Sequence, residues 1–342
     1  MNSRLPGANE NGGETLTATE IATARSHTYA LFARLYQSGP TLELHPIVVG
    51  IPQLAEQMTD PFDADLEATH HQTLFGFNVF PHESVFLTGD GLLGGSITQQ
   101  VVESYNQMGF DTAPDSIAPD HICQELGFLA YLCAAECDAH QYGHQKSVER
   151  LQQAQFDFLD RHLWRWLPPF ADAVAEMGGP FYAALSDLTC RLAGDHLLTI
   201  SLPSSHFDLP ETDFTLDDSN TRLADIAELL IRPGRCGFLL SKADLIQLGR
   251  DFGLPTGFGE RKQLLLNLMR SAVNFDRFPE LVHMLQMLAA RRHNAYGRQA
   301  DQLPVTATYA HTWQERTAAI MELLAAAGRL AKDELAQLEA SD

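Results

Sequence analysis

Between Arg34 and Lys146 the chain has neither lysine nor arginine, a gap of 111 residues that contains 15 carboxylates from Glu43 to Asp138. The net charge is −21, of which −17 falls in residues 1–205 and −4 in residues 206–342. Such a balance repels nucleic-acid phosphates and anionic lipid heads and attracts cationic peptides, so nucleic acid is not expected as a partner. The plainer alternative is an acidic skin that only keeps the protein in solution. Long apolar runs are also missing. No stretch reaches the ~18 uninterrupted apolar residues of a membrane span, and residues 1–17 lack the apolar core of a secretory signal. A cytoplasmic protein without membrane insertion is expected. The five cysteines, an odd number in a chain of 342 residues, give no disulfide framework and suit a reducing compartment. Alternating apolar and polar residues are rare, and no strand-then-helix rhythm repeats, which speaks against a doubly wound sheet.

What is present is helical period. The segment from Thr17 to Pro40 places Ile21, Ala24, Tyr29, Phe32 and Leu35 near one stripe, opens on a threonine cap and stops at Gly39-Pro40. Further helices are expected near 63–77, 96–108, 120–141, 145–166 and 180–198, then near 222–231, 241–251, 260–273, 278–296 and 309–340. A Pro-, Ser- and acid-rich stretch at 201–221 reads as a linker. The expected architecture is all-α: a disordered tail at 1–16, a helical domain at 17–200, the linker, and a second, smaller helical unit at 222–342.

Two motifs invite chemistry. Gly89, Gly91 and Gly94 spell GxGxxG after the apolar run Val85 to Leu87, with Asp111 downstream, the outline of a dinucleotide site. That site requires parallel strands around the glycines, and the chain offers one short candidate strand and no second. A flexible turn before a helix capped by Ser96, with Gln99 three residues on, is the better reading. Cys133, Cys137, His140 and His144 are metal-ligand types on one helical face. The first and last would stand ~16 Å apart at ~1.5 Å per residue, too far for one tetrahedral ion. Buried cysteines and solvent-facing histidines are expected instead, and neither cofactor nor metal is called for.

Pro119, Asp120 and His121, followed by Glu125, Leu126 and Phe128, resemble the most characteristic motif of the TorD/DmsD/NarJ family of chaperones for molybdenum-containing redox enzymes. The segment from Phe80 to Phe86, with Pro81, Glu83 and Ser84, is similar to that family's aromatic-Pro-x-Glu-Ser segment. The stretches "GDGLLGG", "HLWRWLPPFADAV" and "GPFYAALSDLT" follow in family order. The resemblance covers about residues 17–200; residues 206–342 carry none, and an added docking or dimerisation module is one reading of them.

The resemblance implies an all-helical chaperone, not an enzyme. Its partners would be the catalytic subunit of a molybdopterin oxidoreductase and that subunit's twin-arginine signal peptide, held until the cofactor is inserted. Such a receptor needs carboxylates for guanidinium groups and an apolar groove. Asp120, Glu125 and Glu83 are candidates for the first; Phe80, Phe86, Phe128 and Tyr131 are candidates for the second. Asp120 equally suits a helix N-cap, and His121 a local hydrogen bond or a peptide contact. Two other function classes remain open on the residues alone: a helical adaptor with unrelated partners, and a nucleotide-binding enzyme using Gly89–Gly94.

Overall fold

The computed structural model describes residues 16–112, 117–200, 202, 205–212, 214, 216 and 221–339, with side chains to residue 330. The tail expected at 1–16 thus lies outside the described residues except for residue 16, and the linker expected at 201–221 is described in part. The fold is all-α. Among the described residues no strand forms; a single bridge joins His82 to His121.

The first unit comprises α1 (Ala18–Ser38), α2 (His45–Val48), α3 (Pro52–Ala55), α4 (Ala64–Thr73), α5 (Glu83–Leu87), α6 (Ser96–Met108), α7 (Ile122–Gln141), α8 (Gln145–Phe158), α9 (Trp164–Met177) and α10 (Gly179–Ile200). The extension comprises α11 (Leu223–Leu230), α12 (Pro233–Cys236), α13 (Lys242–Phe252), α14 (Arg261–Asn274), α15 (Phe278–Gln302) and α16 (Ala307–Glu339). α1 opens as expected: Thr17 and Glu20 form a reciprocal capping box, and Gly39 ends the helix at φ 72°. Its buried stripe runs through Ala22, Ser26, Tyr29, Phe32 and Tyr36 and packs on α7. Ala24, expected inside, is exposed.

Two local expectations are corrected. Val85 to Leu87 is part of the short helix α5, not a strand. Ser96 is the first helical residue of α6 behind an N-cap at Gly95, and no side chain caps that end. The glycine turn runs between these two helices, with Gly91, Gly94 and Gly95 at φ 66°, 90° and 81°, values that L side chains rarely adopt.

α8 and α9 follow one another through a π-helical turn, Leu159–Leu163, and α9 carries Pro168 and Pro169 inside it. A proline supplies no N–H to the carbonyl four residues earlier, so Pro169 leaves the Arg165 carbonyl without its helical donor. The extension supplies one: the Trp313 Nε1–H on α16 donates to Arg165 O at 2.8 Å. Nearby, Gln299 Nε2 on α15 donates to Pro168 O at 3.3 Å. Buried Arg292 meets Asp172 and Glu176 at 3.2 and 3.3 Å. In the π turn, buried Asp160 accepts from Ser205 N at 2.9 Å and from the Tyr309 hydroxyl at 2.5 Å.

Burial forms two clusters. One is centred on the first unit but takes in Phe207, Leu209, Tyr296, Tyr309 and Trp313; the other lies within the extension, from Ile226 to Ala327. A cut placed between residues 211 and 221 should therefore leave the two pieces associated. Gel filtration after limited proteolysis tests this, and separation into two independent peaks would show that the shared cluster does not hold them. Trp313→Phe keeps most of the ring volume and leaves the Arg165 carbonyl orphaned. Chemical denaturation should show a loss of ~1–3 kcal/mol, the usual penalty for a buried unsatisfied acceptor.

Candidate functional site

Two short segments, Phe80–Glu83 and Ala118–Ile122, meet as antiparallel neighbours. Glu83 N donates to Asp120 O and Ile122 N to Pro81 O, each at 2.9 Å. Tyr105 on α6 donates to Pro119 O at 2.8 Å. The Asp120 carboxylate reaches across the pairing and accepts from Ser84 N at 3.1 Å. Asp120 therefore caps α5, on the partner segment, and not the helix it precedes. The N-cap of α7 is His121, whose Nδ1 accepts from Cys123 N at 3.1 Å. Burial alone would raise the Asp120 pKa. The Ser84 N–H and the adjacent His82 outweigh it and hold the carboxyl at about 2. His82 Nδ1 stands 3.7 Å from Asp120 Oδ1, too long for a hydrogen bond.

Glu83 and Glu125 point inward, at 1% and 0% exposure. Burial pushes both carboxyls well above the ordinary range; the charge of Asp120 adds to the shift of Glu83, and that of Glu83 to the shift of Glu125. Burial, with Arg165 and Arg161 adding, draws His162 down to about 3. The 3.1 Å contact between Glu83 Oε2 and His162 Nδ1 is accordingly a hydrogen bond between neutral groups. One arrangement satisfies the row: Glu83 donates to Nδ1, Nε2–H donates to Ser104 Oγ at 3.0 Å, and Ser104 donates to Gln100 O at 3.2 Å. Trp166 Nε1 donates to Glu125 Oε2 at 3.1 Å, and the Glu125 carboxyl hydrogen-bonds that of Glu83.

All nine residues selected from the sequence are thus brought to one place, and most of them are interior. Pro81, Ser84, Phe86, Asp120, His121, Glu125 and Phe128 are buried, and Phe80 is half-buried. Phe86 packs on Trp166 and Phe170. Phe128 packs on Tyr105 and Phe158, and Tyr131 is exposed at the edge of that group. The acidic, base-free stretch behaves similarly in part. Glu67, Glu83, Asp120, Glu125 and Glu136 are buried, and its other described carboxylates are exposed. Residue selection by sequence missed His162, Trp166 and Ser104. Their signal was available, since His162 and Trp166 are four residues apart and share a helical face. Among the described residues no three metal-ligand types gather as a metal site; Cys133 is buried, and Cys137 lies 3.1 Å from the Thr23 hydroxyl. No helix among the described residues is long and apolar enough to cross a membrane.

A family model described as nitrate reductase delta subunit matches residues 47–172, the stretch that contains the crossing, the neutral row and most of α9. A TorD chaperone of Vibrio cholerae is 36% identical over 96 residues, covering 28% of this chain and 42% of the relative. Another Vibrio cholerae TorD chaperone is 35% identical over 160 residues, 45% of this chain and 71% of the relative. A selenate reductase assembly chaperone of Thauera selenatis is 50% identical over 52 residues, 15% of this chain and 26% of the relative. The family model ends at residue 172, before the extension begins.

The buried titrations have opposite signs. His121 and His162, held near 3 in the folded chain against 6.5 ordinarily, contribute stability that is full above pH 6.5 and lost as pH falls below it. Glu83 and Glu125, raised from 4.5, contribute stability that is full below pH 4.5 and lost as pH rises. Glu125→Gln removes one member of the second set. Urea midpoints at pH 5 and pH 8 should show the variant gaining on the wild type at the higher pH, and an equal offset at both would refute the assignment.

Proposed function

Because the chain belongs to the TorD family, we propose that it is a cytoplasmic chaperone, not an enzyme, that binds the twin-arginine signal peptide and apo form of a molybdopterin oxidoreductase. The observation that carries this reading is the crossing of residues 80–87 with 118–128 inside the stretch that the family model covers. An array of interlocked, charge-poor hydrogen bonds with no metal cluster beside it among the described residues suits a scaffold for a binding surface. An exposed catalytic group is not what these residues offer.

Phe80, Pro81, Glu83, Ser84, Phe86, Asp120, His121, Glu125 and Phe128 serve this function by position. They fix two chain segments and the starts of α5 and α7, so that the outward-facing residues beside them present one surface to the client. The charge pattern supports a cationic ligand, since the surface carboxylates of residues 35–145 have no basic neighbour within that stretch. The extension buttresses α9 through Trp313 and Arg292 and so supports the same scaffold from behind.

Co-expression with a molybdopterin oxidoreductase from the same genome tests the proposal. The affinity-tagged chain should retain the apo catalytic subunit, and retention should fall when the subunit's two arginines are replaced by glutamine. Binding of the isolated signal peptide should weaken from low to high salt, because exposed ion pairs are screened over ~8 Å at physiological ionic strength. Equal binding at both salt levels together with indifference to the arginine replacement would remove the signal peptide from the proposal.

A further inference from the structure

Carboxylates outnumber lysines and arginines 44 to 23 in this chain, yet one cleft gathers three arginines. It lies between α6 and α8. The inner faces of these helices meet through Tyr105 and Phe158, with ring centroids 5.8 Å apart. Beside that contact a cleft of about 530 Å³ is open and reaches the π turn, Leu159–Leu163. Met108, Phe128, Ala154 and Phe158 give it an apolar floor, next to the hydrogen bond between Ser104 and His162. Arg150, Arg161 and Arg165 line its α8 side. Arg150 Nη2 reaches across to donate to Gln107 O at 3.4 Å. Arg165 donates from Nε to Asp160 O at 3.2 Å and from Nη2 to Ser205 Oγ at 3.4 Å. These acceptors are neutral, and neither arginine forms an ion pair among the described residues. Arg161 is held loosely, with Asp157 Oδ1 4.0 Å away and both side chains exposed. The lining thus sets three guanidinium groups against two carboxylates, Glu103 and Asp157.

We propose that this cleft docks an acidic amphipathic helix of a partner protein. Arg150 and Arg161 are eleven residues apart, about three helical turns, so they stand ~16 Å apart along one edge of α8 at ~1.5 Å per residue. A single carboxylate or phosphate cannot meet both. A helix with acids at the same spacing can, and its apolar face then enters over Met108, Ala154 and Phe158 in the manner of a helix laid in a groove. Charge sets the choice of partner. An acidic helix finds guanidinium groups here that lack acids of their own, whereas a peptide carrying two arginines is repelled by Arg150 and Arg161. The surface is therefore separate from the one that receives a signal peptide, and the inference does not depend on that reading.

The probe is a fluorescein-labelled helical peptide of Ala, Leu and Gln with two glutamates eleven residues apart beside its leucine face, titrated by anisotropy into the full chain. The same peptide with lysines in place of the glutamates is the comparison. The wild type should bind the glutamate peptide and not the lysine peptide, and more weakly as salt rises. Replacing Arg150 and Arg161 together by glutamine should weaken binding roughly fivefold, the scale of two exposed ion pairs. Arg191→Gln, exposed on α10 and paired with Asp187, should leave it unchanged. Ala154→Phe fills the apolar floor and should weaken binding at every salt level. Hydrogen exchange should show protection at residues 100–108 and 150–165 on peptide binding. Equal binding of the two peptides, wild-type affinity in the double variant, or protection confined to other segments overturns the proposal. Displacement of the peptide by pyrophosphate at constant ionic strength would assign the arginines to a small anion and overturn it as well. A peptide with two adjacent arginines should bind the double variant at least as well as the wild type; a loss there would give the cleft to the signal peptide instead.

Discussion

The architecture of the first unit depends on a short crossing in which two irregular segments satisfy each other's backbone. Pro81, Glu83, Asp120 and Ile122 exchange two backbone hydrogen bonds, and Asp120 adds a carboxylate cap to the helix that begins on the opposite segment. A buried loop carries polar groups that need partners, so this pairing is what allows chain outside the helices to sit at the centre of an all-helical protein. The crossing also sets the directions of the two helices that leave it. α5 departs with Phe86 toward Trp166, and α7 departs with Glu125 and Phe128 turned inward. The neutral row Glu83, His162, Ser104 then ties α6 and the π turn to the same point.

The extension enters this arrangement as a structural part. Two prolines inside α9 free carbonyls that a lone helix would have to expose to water, and α9 is buried on most sides. Trp313 answers one of those carbonyls, and Asp160 in the π turn is shared between Ser205 and Tyr309. The chain after residue 221 thus has two kinds of helix. α11 to α14 belong to their own apolar cluster, whereas α15 and α16 contribute to both clusters.

Buried and exposed acids have different physical roles. Glu83 and Glu125 are driven toward the protonated state by burial, and a neutral carboxyl offers little to a guanidinium. Their value is conformational: each hydrogen bond selects one packing of α5, α7 and α9. In the proposed recognition of a cationic peptide, charge would come from the exposed carboxylates of residues 35–145.

Much of the fold was determined by the sequence by itself. Several long helices carry apolar positions at helical period, and Thr17, Glu20 and Gly39 bound α1 as their chemistry requires, because helix starts, stops and amphipathic faces are local properties of consecutive residues. The glycine turn and the motif residues were also apparent as patterns. Only the tertiary structure decided which way those residues face. The spacing of Asp120 before an apolar helix is that of a cap, yet the amide it caps belongs to Ser84, 36 residues away in the chain. An acidic count cannot separate Glu83 and Glu125, inside, from Asp63 and Asp65, outside. Nor could the prolines of α9 announce a partner 148 residues distant. Local pattern fixes elements through contacts between near neighbours, whereas burial, capping across segments and the pKa of a carboxyl depend on what other parts of the chain bring to it.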